Sequence, residues 1–363
     1  MTEPGLPRLP ARDLCGTMLV HRRLLNESST YRSRRALIEN RALLYERGRL
    51  APARTGVVTI PVVVHVVHAV PEHDITDEQI HSQIDVLNQD FRAANPDVVK
   101  VPDPWKPLVA DARVEFRLAT RDPGGEPTGG VIRVATDVRD FTWDDAVKAT
   151  ATGGSDPWPS DRYLNVWVCR LGGGLLGYAQ FPGGPPQTDG VVILHSAFGV
   201  TGTAAPPFDG GRTATHEIGH WLDLYHIWGD DDGACAGDDK VDDTPNQAGS
   251  NQGSPRFPRV TCGNGPHGDM FVNYMDYTDD AAMFMFTRGQ ATRMNACLEG
   301  ERASFLVAPE SRVPVAPART AVPEMRQPVH DGEVRRLLHD SERLTAEVLD
   351  DIRVALGMVG DRE

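Results

Sequence analysis

Apolar positions along the chain fall into two kinds of pattern. Val57–Val67 is a run of β-branched residues and predicts a buried strand. Thr76 and Gln79 have the spacing of a capping box. Behind them Ile80, Ile84, Leu87 and Phe91 recur at helical intervals, which predicts a helix from about Asp77 to Phe91. Further strands are predicted at Arg113–Ala119, Tyr163–Leu171, Leu175–Phe181 and Gly190–Leu194. A second helix opens near Arg212 and a third covers Thr287–Leu298. Five strands interleaved with helices indicate an α+β fold with a mixed sheet. Between the last two helices, Gly229–Pro266 lacks periodicity. A stretch that long inside a compact domain is usually functional or pinned by a metal or disulfide. The chain before Val57 has a weak pattern and reads as little structured, with one short helix over Ser33–Ile38. Residues 308–330 hold five prolines and read as a linker. Beyond them Val334, Leu337, Leu338, Leu344, Val348 and Ile352 form one stripe of an amphipathic helix over 331–363, a candidate element for binding a partner.

Composition narrows the function. The 363 residues are 40% apolar and carry a net charge of −14, a poor match to nucleic-acid binding, which needs Lys and Arg against phosphates. No run of 18 apolar residues is present to span a membrane. The charge is uneven. Residues 1–56 contain eleven arginines, no lysine and five acids, a charge of +6 against −20 for the rest. Opposite signs favour docking of this leader on the body, a solvated basic arm being the alternative. The start has no apolar segment long enough for a secretory signal peptide. Five cysteines leave at least one without an intramolecular partner.

The sharpest chemistry lies in His216-Glu217-Ile218-Gly219-His220. Residues i and i+4 of a helix share a face, so His216 and His220 present two imidazoles to one Zn²⁺. Glu217 lies beside them, placed to act as a general base on water rather than as a ligand. His226 follows six residues on. It can join the same metal only if the helix stops near position 223 and the chain turns back through a left-handed residue. Asp223 occupies that position, and Asp is among the few non-glycine residues that visit this region.

The stretch His216–His226 resembles the elongated zinc signature of metzincin metallopeptidases. With Val272-Asn273-Tyr274-Met275-Asp276-Tyr277, Leu164-Asn165-Val166-Trp167, Gly173–Ala179 and Met283–Thr287, the chain is similar to the pappalysin family, on its ulilysin-like prokaryotic branch, over about residues 57–300. It departs from the family pattern at Asp223, where glycine is usual. The resemblance implies a twisted five-stranded mixed sheet with a backing helix and an active-site helix, then an irregular C-terminal subdomain. It divides the chain into a propeptide (1–56), a catalytic domain (57–307), the linker and the tail.

The same resemblance implies roles residue by residue. His216, His220 and His226 match the zinc ligands and Glu217 the general base, giving a zinc endopeptidase acting on protein or peptide substrates. Met275 matches the Met-turn beneath the metal. Tyr277 matches a tyrosine that hydrogen-bonds the developing oxyanion. Leu175, Gly177 and Tyr178 belong to an edge strand to which an extended peptide adds. Asp280, rather than Asp279, matches a carboxylate selecting Arg or Lys after the scissile bond, a solvated acidic turn being the alternative. Seven Asp and one Lys between Asp230 and Asp243 repel one another unless neutralised. Asp239, Asp243 and the Thr244 carbonyl are the candidate Ca²⁺ ligands, against a merely solvated loop. Cys235 and Cys262 are implied to form a disulfide. Cys169 and Cys297 read as buried thiols. Cys15 is a candidate latency ligand, filling the open zinc position until the leader is cut near Arg47–Arg54. A disulfide and a protease class point to secretion; the missing signal peptide points to the cytoplasm. The rival function is a non-catalytic zinc-binding or adhesion module retaining the fold.

Overall fold

The computed structural model describes residues 14–306 except Asp232. The linker, the tail helix and residues 1–13 lie outside the described residues. Strand β1 (Val58–His68) is central, and all but two of its eleven residues are buried. A strand covered on both faces reads as a continuous apolar run, which is why this segment was legible without alternation. β1 pairs in parallel with β4 (Leu164–Cys169) on one side. On the other side its length is shared: Val58–Val62 pair with β2 (Val114–Leu118) and Val64–His68 with β3 (Val131–Ala135). β4 continues to β6 (Val191–Leu194), and β5 (Gly177–Ala179) closes the edge antiparallel to β6. The mixed sheet therefore has six strands rather than five, although it is five strands wide. β3 went unread because its five residues show no alternation and none is fully buried.

Helix α3 (Asp77–Asp90) covers one face of the sheet beside α4 (Arg212–Trp221) and α5 (Arg288–Leu298), around a core that includes Ile80, Leu87, Ile218, Met275 and Met294. Its N-cap is only half of the expected box. Thr76 accepts from the Gln79 amide, but the Gln79 side chain turns away to donate to the His195 and Phe198 carbonyls. Those carbonyls are otherwise buried, so satisfying them outweighs the reciprocal cap. The complete box occurs at α5, between Thr287 and Gln290. Among the described residues no helix is long and apolar enough to cross a membrane.

The leader corrects the sequence reading. Over its described residues, 14–56, it is neither weakly structured nor a solvated arm but docked on the body as two helices, α1 (Thr17–Glu27) and α2 (Ser29–Glu46), with Ser28 capping the second. Val20 and Leu24 of α1 pack with Trp167, Tyr178 and Val192 against the other face of the sheet. α2 lies along α5, where Ala42 and Tyr45 meet Ala296. The buried stripe of α2 is Tyr31, Arg35, Ile38, Ala42 and Tyr45, and an arginine within it hid the helical period.

His21 of α1 is buried with Nδ1 2.8 Å from the Tyr31 hydroxyl. Burial, aided by Arg35, lowers its pKa from 6.5 to about 4. The unfolded leader binds that proton more readily than the docked one. Docking is therefore fully supported above about pH 6.5 and loses stability as pH falls toward about 4. Hydrogen exchange of α1 amides, corrected for intrinsic rates, is expected to speed up between pH 7 and pH 4.5 in the parent and much less in His21→Gln.

Candidate active site

α4 carries the signature into the core, and every one of its residues is buried. Arg212 at its first turn is fixed by the Tyr274 hydroxyl, Asp90 and Asp97. The helix ends after Trp221, and Asp223 takes a left-handed φ of 79°. That conformation costs a non-glycine residue about 1 kcal/mol. Here the Asp223 carboxylate is bound on both oxygens, by Arg35 of the leader at 2.6 Å and Arg293 of α5 at 3.0 Å. The turn brings His226 back beside the helix.

The three imidazoles meet nitrogen to nitrogen. His220 Nε2 lies 3.1 Å from His216 Nε2 and 3.1 Å from His226 Nε2. Each Nδ1 faces an oxygen at 2.7 Å: the Tyr274 carbonyl for His216, the Leu224 carbonyl for His220, and Asp230 Oδ1 for His226. An oxygen acceptor fixes the proton on Nδ1 and turns the Nε2 lone pair inward. Burial also lowers His216 to about 3 and lowers His220, so these rings are neutral. Three converging lone pairs repel unless a cation sits among them, and neutral imidazole is a good zinc donor. Cys15 Sγ is the fourth member. It is the one group of three or more His, Cys, Asp or Glu among the described residues whose donor atoms converge, all within 4.8 Å of one another.

Two glycines allow the close packing. A Cβ on Gly219 would stand 2.5 Å from Met275 Sδ, so glycine lets Met275 pack directly on α4. A Cβ on Gly177 would stand 2.9 Å from Glu217 Cγ. Glu217 is thereby held against β5, and burial raises its carboxyl to about 7 against hydrogen bonds from Cys15 and Thr17 that pull it down. The ring of Tyr277 lies 5.7 Å from His216 and 5.0 Å from His226, and Trp228 stacks on His226 at 4.3 Å.

The leader runs along β5. The Leu176 amide donates to Leu14 O, the Gly16 amide donates to Gly177 O, and Cys15 pairs with Gly177 in parallel sense. Thr17 Oγ1 donates to Glu217 Oε2 at 2.9 Å, and Cys15 Sγ lies 3.4 Å from the same oxygen. Cys15 lines cavities on both sides of the histidines, one with Asp280 and Met283, the other with Trp228 and Ser250. The side chains of Leu175 and Tyr178 point into the sheet core, so the strand offers the cleft its backbone. Asp280 Oδ2 accepts from the amides of Gly210 and Arg212, and burial raises its pKa to about 7.

The acidic loop is sorted by the fold. Asp239 accepts from the Thr244 hydroxyl and the Val241 amide, and burial raises it to about 8. Asp243 accepts from the Thr287 hydroxyl and the Gly289 amide at the start of α5. Asp230, at the start of the acidic loop and given no role from sequence, orients His226. Cys235 and Cys262 are joined by a disulfide; Cys15, Cys169 and Cys297 are free and buried. Sequence reasoning missed Thr17, Arg35, Tyr274 and Leu224. Two of these act through backbone carbonyls, for which side-chain identity carries no signal.

Comparison with known proteins agrees with this geometry. The Peptidase_M43 family model, described as pregnancy-associated plasma protein-A, matches residues 150–299. An extracellular metalloprotease of Pyricularia oryzae is 32% identical over 265 residues, covering 70% of this chain and 80% of that protein. Extracellular metalloprotease 1 of Coccidioides posadasii is 44% identical over 140 residues, 37% of this chain; there the match spans about half of the relative, 48%. Among solved structures, a Tannerella forsythia promirolysin mutant aligns with TM-score 0.75 and 46% identity over 80% of this chain and 96% of that one. Mirolysin in complex with a compound named compound 9 aligns with TM-score 0.68 and 50% identity over 70% of this chain and 97% of that one. A metzincin fold, a precursor form among its relatives and a matching family model converge: the chain is a metalloendopeptidase of the pappalysin family.

Proposed function

We propose that this chain is the latent precursor of a zinc endopeptidase in which His216, His220 and His226 hold the metal and Glu217 is the general base. The observation that carries the reading is the convergence of three Nε2 lone pairs beside the Glu217 carboxylate. Zinc in such a site supplies Lewis acidity, polarising a carbonyl and making water acidic enough to be a nucleophile near neutral pH. A substrate would add to the β5 edge that Leu14–Gly16 now occupies. Glu217 Oε2, freed of Thr17 and Cys15, takes a proton from the attacking water and delivers it to the leaving nitrogen. Tyr277 faces the side where the carbonyl oxygen gains charge. Asp280 at the cavity floor favours Arg or Lys after the scissile bond. Met275 supports the metal site from below.

Latency follows from the same cleft. Cys15 supplies the fourth donor and Thr17 ties up the base, so nothing can enter while the leader is docked. Arg47–Ala53 is exposed, which suits removal of the leader within Arg47–Arg54. The fungal relatives are named extracellular, and a disulfide suits secretion as the setting. Calcium belongs to this reading through Asp239, a buried carboxylate that a divalent cation would keep ionised, with Asp243 and the Thr244 carbonyl as the further candidate ligands. Both carboxylates already accept local hydrogen bonds on each oxygen, Asp239 from Thr244 and Val241 and Asp243 from Thr287 and Gly289.

Three measurements test these roles. In a peptide-library digest by the processed enzyme, Glu217→Ala is expected to lose about 10²–10⁴ in kcat, a chelator to abolish cleavage, and Asp280→Asn to weaken the basic preference at least about tenfold. Retained cleavage in Glu217→Ala would rule out the mechanism, and no cleavage by the processed parent would favour a non-catalytic module. The Cys15→Ala precursor is expected to cut peptides or itself before processing; a precursor as latent as the parent would exclude the thiol as the ligand. Calcium is expected to raise Tm in the parent and not in Asp239→Asn, and an equal rise in both would remove Asp239 from the site.

A further inference from the structure

Four charges at the back of the active-site helix close into a ring. Arg35 Nη2 lies 2.6 Å from Glu39 and Arg35 Nη1 lies 2.6 Å from Asp223. Arg293 Nη2 lies 3.0 Å from Asp223 and 2.8 Å from Glu39. Signs alternate around the ring. The leader contributes Arg35 and Glu39, one turn apart on α2, and the body contributes Asp223 and Arg293. Tyr225 joins them by accepting from Arg35 and donating to Glu39. The Arg35 guanidinium also stands over the Phe181 ring at 5.1 Å. Three of the four charged side chains are 5% exposed or less, and Glu39 is 31% exposed. Glu46 lies further out, 3.6 Å from Arg293.

This contact is separate from the Cys15 contact. Cys15 reaches the histidines along β5, whereas the ring joins α2 to the end of α4 and to α5. It is extended by Ala42 and Tyr45 against Ala296 and by Arg41 on the Ala296 and Glu299 carbonyls. The ring also accounts for Asp223. Glycine would supply the left-handed turn, but only a carboxylate there both balances Arg293 and receives Arg35.

We propose that Phe181, Asp223, Tyr225 and Arg293 form a docking site for a helix bearing Arg and Glu four residues apart. Its occupant is α2, which remains docked after the chain behind it is cut and without help from Cys15. The ring is neutral as a whole, so docking brings no net charge into a buried place. Loss of Arg35 alone leaves one excess negative charge, and loss of Glu39 alone one excess positive charge. Loss of both leaves the Asp223–Arg293 pair balanced. Cutting the chain is then the first step of activation, and release of α2 the second.

The inference rests on residues 14–56 being a removable leader, but its test needs no peptide cleavage by the chain itself. The full chain carrying Glu217→Ala and Cys15→Ala is nicked by brief trypsin treatment at exposed Arg47 or Arg49, the product being verified by mass. Association of the two pieces is then measured by dilution and gel filtration. The body is unchanged in every leader variant, so its folding is not in question. The nicked pieces are expected to remain together. Arg35→Gln or Glu39→Gln is expected to raise the dissociation constant about a hundredfold. The double variant is expected to cost much less than the product of the two single effects, because it restores neutrality. Separation of the pieces with Arg35 and Glu39 intact would overturn the proposal. So would single variants within about twofold of the parent, or single effects that simply multiply. Failure of the zinc reading would show instead as lost chelator sensitivity, which this measurement does not touch.

Discussion

Everything around the active site answers to one constraint: three imidazole lone pairs must point at a single spot. Each ring is turned by an oxygen from a different place in the chain. Tyr274 offers a carbonyl from the loop before α5, Leu224 one from the turn after α4, and Asp230 a carboxylate from the start of the acidic loop. A helix alone would supply two of the three donors. The third exists because Asp223 turns the chain, and that turn is stabilised by Arg293 of α5 and Arg35 of α2. Segments far apart in sequence thereby share one electrostatic task.

Packing makes the same demand in the language of contact distance. Met275 sits under α4 because Gly219 has no side chain, and Glu217 lies against β5 because Gly177 has none. A methyl group at Gly177 would meet the Val192 carbonyl as well as Glu217, and one at Gly219 would displace the Met275 side chain. The irregular region between α4 and α5 thus has an ordered purpose without regular structure. Its acids are divided among orienting an imidazole (Asp230), capping α5 (Asp243) and a buried pocket of local donors (Asp239).

The leader occupies the β5 edge and the Glu217 carboxylate beside the three imidazoles. It lies on the free edge of β5 through backbone hydrogen bonds and places Thr17 and Cys15 at the Glu217 carboxylate. It also supplies apolar cover for the outer face of the sheet through Val20 and Leu24. A basic leader on an acidic body is part of the account, but the decisive charges are few and buried. Among the described leader arginines Arg35 alone is buried, where water screens its charge least.

The sequence by itself determined the central strand and the three body helices, the ligand helix among them, because each has a period or a residue spacing that survives without neighbours. His216, Glu217, His220 and His226 were legible for that reason, and the stop at Asp223 followed from their spacing. Tertiary structure decided what has no local signature. The leader helices were hidden because the stripe of α2 includes a buried arginine, whose burial is affordable only opposite Asp223 and Glu39. β3 exists because β1 is long enough to pair with two strands on one edge. Gln79 abandoned its capping role for carbonyls over a hundred positions away. Asp230 orients His226, a role with no local signature, since a carboxylate's partner depends on where the folded chain brings a donor.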